Sequence, residues 1–247
     1  MQLIQKLYKT GDFFFRYRSY VPMVLAVFFI LEISYYHSPR SGNRWDLAFE
    51  SVCFIVALMG YGIRIVTVGY IHAGTSGRSI RELKSDSLNT DGMYAVVRNP
   101  LYLGNFFIIL GISMLSQDWR FVLITMLLFI CFYFPIIMWE EQYLRASFGD
   151  AFDQYAARTS AIVPDLRKWK RPELRFNFAR VLRREHDGLM AIIVVFFAIA
   201  TLREFATSGR LCVDLLWSRI LAVTLAIWGF LKLVKGSLKA MEKDSPR

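Results

Sequence analysis

Hydrophobic residues gather in this chain into six blocks that approach the roughly 20 residues a membrane-spanning helix needs. Tyr20–Tyr36, Leu47–Tyr70, Leu101–Ser116, Arg120–Met138, Leu189–Phe205 and Leu215–Phe230 therefore predict six transmembrane helices, the third of them short. Polar positions between the blocks set the connections. A Pro-Arg-Ser-Gly-Asn turn joins the first two spans, and a few residues around Gln117-Asp118 join the third and fourth, which must then form an antiparallel hairpin. Met1–Arg18 mixes apolar and basic residues, as an interfacial helix lying on a membrane does. After the fourth span Tyr143, Leu144, Phe148, Phe152 and Tyr155 keep approximately helical spacing past Gly149, the place where this second interfacial helix would break.

The fold class expected is all-α, a polytopic membrane helical bundle of about six spans with an interfacial helix after the fourth. Four regions follow. Residues 1–70 hold the N-terminal helix and two spans, and 71–164 a core with the hairpin. A basic interfacial linker occupies 165–187, and residues 188–247 form a C-terminal two-span hairpin with a basic tail.

Composition sharpens the topology. A formal charge of +10 is compatible with nucleic acid binding, but most basic residues lie on one side of the spans, with only Arg40, Arg44, Arg120, Arg203, Arg210 and Arg219 on the other, and no nucleic acid partner is expected. Arg16, Arg18, Arg78, Arg81, Lys84, Arg98, the run from Arg167 to Arg184 and the tail from Lys232 to Arg247 share the side of both termini. The positive-inside rule makes that side cytoplasmic, in a membrane taken as a bacterial inner membrane, with anionic lipid head groups as partners of the basic face. Cys53, Cys131 and Cys212 are isolated and odd in number, so neither a disulfide framework nor a zinc site is expected. No small-residue cleavage site follows the first apolar block, which would make it an uncleaved anchor.

Candidate chemistry lies at the feet of the hairpin. Gly92, Tyr94, Arg98, Asn99, Pro100, Tyr102 and Gly104 stand on one foot and Glu140-Glu141 on the other. Each of these residues has an ordinary structural use: Pro100 starts a helix, Gly92 and Gly104 serve turns or close packing, and the tyrosines could be belt residues. Together they bring a cation, an amide, two phenols and two carboxylates to one depth, a set suited to a cofactor that is partly apolar and partly zwitterionic.

Gly92-x-Tyr94-x-x-x-Arg98-Asn99-Pro100-x-Tyr102-x-Gly104, followed by Glu140-Glu141 and Phe148-Gly149-x-x-Phe152-x-x-Tyr155, resembles the isoprenylcysteine carboxyl methyltransferase and phospholipid methyltransferase superfamily. The resemblance covers about Ser79–Pro164 and implies an integral membrane methyltransferase that uses S-adenosylmethionine. It implies cofactor contacts from Asp86, Ser87, Leu88 and Asn89, from Tyr94, from Asn99, Pro100, Leu101, Tyr102 and Gly104, and from Glu140. Two positions depart from the family pattern. Asn99 stands where the family usually has His; it can hydrogen-bond a cofactor carboxylate but cannot titrate. Ile136 stands where the prenylcysteine enzymes have an arginine facing substrate, which argues against a prenylated cysteine.

Methyl transfer from a sulfonium is an in-line displacement in which alignment and exclusion of water do most of the work. An anionic acceptor needs no general base, whereas a protonated lipid amine does. Arg98 and Glu141 are the catalytic candidates, the first to bind an anionic group and the second as the motif's base. The expected substrate is a membrane lipid or lipid-linked anionic group, phosphate or carboxylate. Bacterial members of the superfamily that methylate a lipid A phosphate have a loop similar to Gly74–Asn89. The alternatives are a phospholipid amine N-methyltransferase and a non-catalytic transporter or assembly subunit on the same scaffold. Within the spans Glu32 and Arg64 are unusual, and Arg64 could meet an anionic head group.

Overall fold

The computed structural model describes residues 2–18, 28–29, 44–72, 87–210 and 213–234. Among them the fold is helical without a named strand: α1 (Gln2–Tyr17), α2 (Arg44–Tyr70), α3 (Met93–Val96), α4 (Pro100–Met114), α5 (Trp119–Phe148), α6 (Asp150–Arg158), α7 (Phe178–Ser208) and α8 (Leu215–Leu233). Four segments are long and apolar enough to cross a membrane, Leu47–Tyr70, Trp119–Phe148, Phe178–Ala206 and Leu215–Leu233. Helices of this length and apolarity are those of an integral membrane protein. The expected first span, Tyr20–Tyr36, lies outside the described residues apart from Phe28 and Phe29, and so does Glu32. The expected third span is α4, whose 15 residues rise only about 22 Å, short of a hydrocarbon core of about 30 Å.

Small residues set the closest helix pair. Gly60, Gly104 and Gly111 let the backbones of α2 and α4 touch: a Cβ on Gly60 would run into the Gly104 carbonyl, and one on Gly111 would stand 2.7 Å from Ala57 N. Such contact is how apolar helices gain packing where no hydrophobic force separates them from lipid. Around this seam Phe29, Cys53, Ala57, Leu115, Ile192, Phe196, Ile199 and Trp217 form one core, joining α2, α7 and α8.

The hairpin expected at Gln117-Asp118 is present. Gln117 turns the chain with φ of 56°, and Asp118 caps α5 by accepting from Arg120 N at 2.7 Å. α5 runs on past the expected end of the fourth span, as one helix carrying Pro135, until Gly149 (φ 53°, ψ −128°) breaks it and α6 begins. That backbone conformation is open to glycine and costly for other residues.

α1 is more than a surface-lying helix. Its Phe14 stacks on Phe132 at 4.6 Å, its Phe15 packs on Trp139 at 4.8 Å, and a Cβ on Gly11 would meet Trp139 Cβ at 2.7 Å and the Pro135 carbonyl. The N-terminal helix is thus fitted against the stretch of α5 that leads into Glu140-Glu141. The basic linker is likewise tied down. Gly92 N donates to Lys170 O at 2.9 Å, Asp165 N to Val96 O at 3.0 Å and Asn177 N to Gly69 O at 2.9 Å, while Arg180 donates to the Ile71 carbonyl. It therefore covers α3 and the end of α2, with Val163, Leu166 and Trp169 left exposed.

Candidate functional site at the foot of the helical hairpin

Because α4 and α5 are antiparallel neighbours, the residues entering the first meet those leaving the second. Arg98 closes its guanidinium fork on Glu141, Nε to Oε1 at 2.9 Å and Nη2 to Oε2 at 2.8 Å. Its Nη1 donates to the carbonyls of Ala156 at 2.9 Å and Thr159 at 2.6 Å, and its backbone N–H to Ser160 O at 2.8 Å. Asn99 Nδ2 donates to Glu141 Oε1 at 3.2 Å and to Ala161 O at 3.1 Å. Both partners of that amide nitrogen are acceptors, which fixes the orientation of the amide and leaves Oδ1 as its remaining polar valence.

These contacts change three expected roles. Arg98 is engaged by a carboxylate and two carbonyls, so its geometry is that of a pin between α4, α5 and the end of α6 rather than of an open anion binder. Glu141 accepts from Arg98 on both oxygens and from Asn99 on Oε1, which holds its carboxylate as the partner of a cation and makes it a poor base. Asn99, with both amide hydrogens engaged, offers a ligand an acceptor and not the donor expected for a cofactor carboxylate.

Glu140 is placed differently. It accepts a hydrogen bond from the Tyr102 hydroxyl, and Arg18 Nη1 of α1 lies 3.8 Å from its Oε1. Tyr102 packs against Tyr133 at 5.1 Å, and Tyr133 in turn bonds to Asn105. Tyr94 lies within electrostatic reach of Glu140, and its carbonyl accepts from Tyr155 OH at 2.8 Å. Burial, reinforced by the Glu140 charge, holds the Tyr94 phenol above its ordinary value, and burial next to Tyr94 does the same for Tyr155. Both are neutral hydroxyls at physiological pH.

The remaining candidates divide between rim and packing. Ser87, Leu88 and Asn89 are partly buried, and Asn89 Oδ1 lies 3.0 Å from His72 Nδ1 at the end of α2. Asp86 lies outside the described residues. Pro100 is buried at the first turn of α4 with Leu101 partly exposed beside it. Gly104 has its small face filled by α2, since a Cβ there would meet Arg64 Cγ at 2.6 Å. Its direct use is helix packing. Gly92 takes φ of 54° where α3 begins, next to its bond with Lys170. Ile136 is fully buried in the cluster of Phe15, Phe129 and Tyr133.

Three participants were missed in the sequence. Glu185 of α7, 3% exposed, takes Arg64 in a second bidentate pair, Nε to Oε2 at 2.8 Å and Nη2 to Oε1 at 2.9 Å, while Arg64 Nη1 donates to Asn105 at 2.7 Å. Arg64 is therefore not open to the lipid head group expected for it. An acid at the start of one apolar block and a base inside another was the available signal, since ionisable groups within a membrane pair with one another. Asn105 and Tyr133 gave no such signal, being single polar residues on apolar helices. α7 thus reaches Arg64 through Glu185, a role its apolar sequence did not suggest. Among the described residues no group of acidic, histidine and cysteine side chains is arranged to hold a metal ion.

Residues 52–151 match the phospholipid methyltransferase family. The chain is 31% identical over 157 residues to a cobalt-zinc-cadmium resistance protein of Cupriavidus metallidurans, covering 63% of this chain and 67% of the relative. It is 33% identical over 126 residues to a nickel-cobalt-cadmium resistance protein of Alcaligenes xylosoxydans xylosoxydans, covering 50% and 56% respectively. With the protein-S-isoprenylcysteine O-methyltransferase of Schizosaccharomyces pombe it shares 38% identity over 81 residues, a third of each chain (33% and 34%). No solved structure matches it. The matched segment contains both feet of the hairpin, and the chain belongs to the superfamily of membrane methyltransferases that includes the phospholipid and isoprenylcysteine enzymes.

Proposed function

We propose that this protein uses S-adenosylmethionine to methylate an anionic group, a phosphate or carboxylate, on a membrane lipid or lipid-linked acceptor. The observation that carries the anionic choice is the engagement of both Glu141 oxygens by Arg98, because it occupies the carboxylate best placed by sequence to act as a base. An acceptor that arrives already ionised has no proton to give up.

The side chains fit the cofactor. A carboxylate beside phenols and an amide oxygen suits a ligand carrying an ammonium, hydroxyls and an aromatic base. Glu140 would receive the ammonium or ribose hydroxyls, Asn99 Oδ1 would add an acceptor, and Tyr94, Pro100, Leu101 and Tyr102 would line the pocket with Ser87, Leu88 and Asn89 at its rim. When bound, the sulfonium supplies an electrophilic methyl group. The chain's own contribution is to orient that group and exclude water, and the Arg98–Glu141 pin would keep α4 and α5 in register for it. Cofactor would enter from the cytoplasm, where the positive-inside rule places both termini, and the acceptor would arrive laterally from the bilayer of a bacterial inner membrane. The basic face of the linker would meet anionic head groups.

An amine acceptor is the second reading, favoured by Glu140, which could receive a proton. A non-catalytic protein on the same scaffold is the reading from another class. The names of the two resistance proteins describe a phenotype and identify no acceptor. Calorimetry of the purified, folded protein with S-adenosylmethionine tests the enzyme reading, and absence of binding would refute it. Mass spectrometry of lipids from cells with and without the protein tests the acceptor; a methylated amine head group as the only change would refute the anionic choice.

A further inference from the structure

The basic linker carries an apolar edge. Ile162, Val163, Leu166 and Trp169 are 52%, 70%, 74% and 45% exposed, although a short run in water has no use for such side chains. Their exposure is built into the backbone. Leu166–Lys168 form one 3₁₀ turn, opened by Asp165 accepting from Arg167 N at 3.1 Å, and such a turn sets Leu166 and Trp169, three residues apart, on one face. Asp165 N donates to Val96 O at 3.0 Å and Gly92 N to Lys170 O at 2.9 Å, so the turn is held against α3 with that face uncovered. Arg167, Lys170 and Arg171 are exposed beside it, whereas Lys168 folds back to donate to the Arg158 carbonyl at 2.8 Å. The run Ile162–Arg171 thus sets four cations against the single acid Asp165.

The depth of this run follows from the helix beside it. Ser160 O accepts from Arg98 N at 2.8 Å and Ala161 O from Asn99 Nδ2 at 3.1 Å, so the run starts against the first turn of α4. At the other end of α4 the hairpin turn carries Trp119, 70% exposed, and Arg120, residues of a membrane–water interface. From there α4 rises about 22 Å against a hydrocarbon core of about 30 Å, and its first turn therefore stops below the opposite head groups. Chain attached at that level meets lipid, and a soluble partner would have to cross the head groups to reach it.

We propose that Ile162–Trp169 is a seat in the leaflet at the hairpin foot, with Val163, Leu166 and Trp169 inserted among lipid chains and Arg167, Lys170 and Arg171 on acidic head groups. The seat goes beyond attraction of basic residues to the surface and is independent of which group is methylated. Apolar burial and attraction to anionic lipid together are what hold an interfacial anchor. Thr159, Ser160 and Ala161, immediately before the seat, supply the carbonyls that hold Arg98 and Asn99, so anchoring the run fixes the depth of the hairpin foot in the membrane.

Spin-label depth in nanodiscs tests the seat. The full chain with Cys53→Ala, Cys131→Ala and Cys212→Ala receives one nitroxide through Val163→Cys, Leu166→Cys or Arg167→Cys, and each sample is checked for folding by thermal melting. Collisions with oxygen, enriched in lipid, are compared with collisions with a nickel chelate, enriched in water. In discs of phosphatidylcholine with about one third phosphatidylglycerol, the labels at Val163 and Leu166 should favour oxygen at least about fivefold more than the label at Arg167. Phosphatidylcholine alone should raise chelate collisions at Leu166 about twofold or more, since the cations lose their partners. Labels at Val163 and Leu166 as accessible to the chelate as that at Arg167 would place the run in water, as a surface for a soluble partner, and overturn the seat. Equal depth with and without phosphatidylglycerol would overturn the part given to the cations. Should the cysteine-free chain fail to fold, quenching by lipids brominated along their chains, taken as the difference between the native protein and Trp169→Phe, reads the same depth. Strong quenching of Trp169 supports insertion, and none overturns it.

Discussion

Replacing Glu141 by Ala separates a structural pin from a base. The Arg98 and Glu141 side chains are 15% and 14% exposed, so removing the carboxylate strands a guanidinium in a poorly hydrated place. Breaking a buried pair from one side costs about 3–5 kcal/mol. The residual exposure and the two carbonyls that stay on Arg98 move the expected loss to about 2–3 kcal/mol, a large part of the ~5–15 kcal/mol by which a protein is stable. Thermal unfolding in a defined detergent, done for E141A, R98A and the double variant, gives the coupling between the two. We expect it to be about 1.5 kcal/mol or more, and additivity within about 0.5 kcal/mol would refute the pin. Turnover supplies the second arm. A pin makes the E141A defect recoverable, at least in part, by saturating cofactor at low temperature, whereas loss of a general base would remove about a hundredfold or more of the rate at any cofactor concentration. A normally stable E141A protein with that rate loss would show that the carboxylate acts in the chemistry.

Other expectations follow from the same geometry. Gly60→Leu should cost at least about 1–3 kcal/mol of stability by forcing α2 away from the Gly104 carbonyl, and an unchanged melting temperature would refute the close packing. Gly92→Ala should cost about 1–3 kcal/mol because its φ of 54° with ψ of −129° is a glycine conformation; the loss should be accompanied by faster proteolysis of the linker that Gly92 holds through Lys170. Tyr94 and Tyr155 have phenols raised from the ordinary value of 10.0, so their contribution is complete below pH 10 and declines as pH rises above it, when the unfolded chain ionises first. Tyr155→Phe should reduce that alkaline loss and cost about 1 kcal/mol at neutral pH, and an identical alkaline melting profile in the variant would contradict the assignment.

The helical hairpin was legible because its evidence is local: two apolar blocks with three residues between them leave one way to turn, and the turn brings Arg98 to Glu141. Which carboxylate Arg98 would take was not legible. Glu140 and Glu141 are neighbours in sequence, yet the helix separates them by about 100°, sending one to Arg98 and the other to Tyr102. Membership of α1 in the site was hidden for a different reason. The aromatic and basic run from Phe13 to Arg18 fits an interfacial helix equally well, and only its packing on Pro135 and Trp139 directs Arg18 toward Glu140. Glu185 shows the same limit, since pairing across 121 residues to Arg64 depends on how α7 lies on α2.

The central claim is a methyl-transfer site built around Glu140, and it is tested most directly by incorporation of radiolabelled methyl from S-adenosylmethionine into membrane lipid. Purified protein in nanodiscs made with lipid from its own cells should label an acidic lipid, while Glu140→Ala should lose most of the incorporation and weaken cofactor binding about tenfold or more, equivalent to about 1.4 kcal/mol. A folded native protein that neither binds the cofactor nor labels any lipid, or a Glu140→Ala protein that labels as well as the native one, would contradict it.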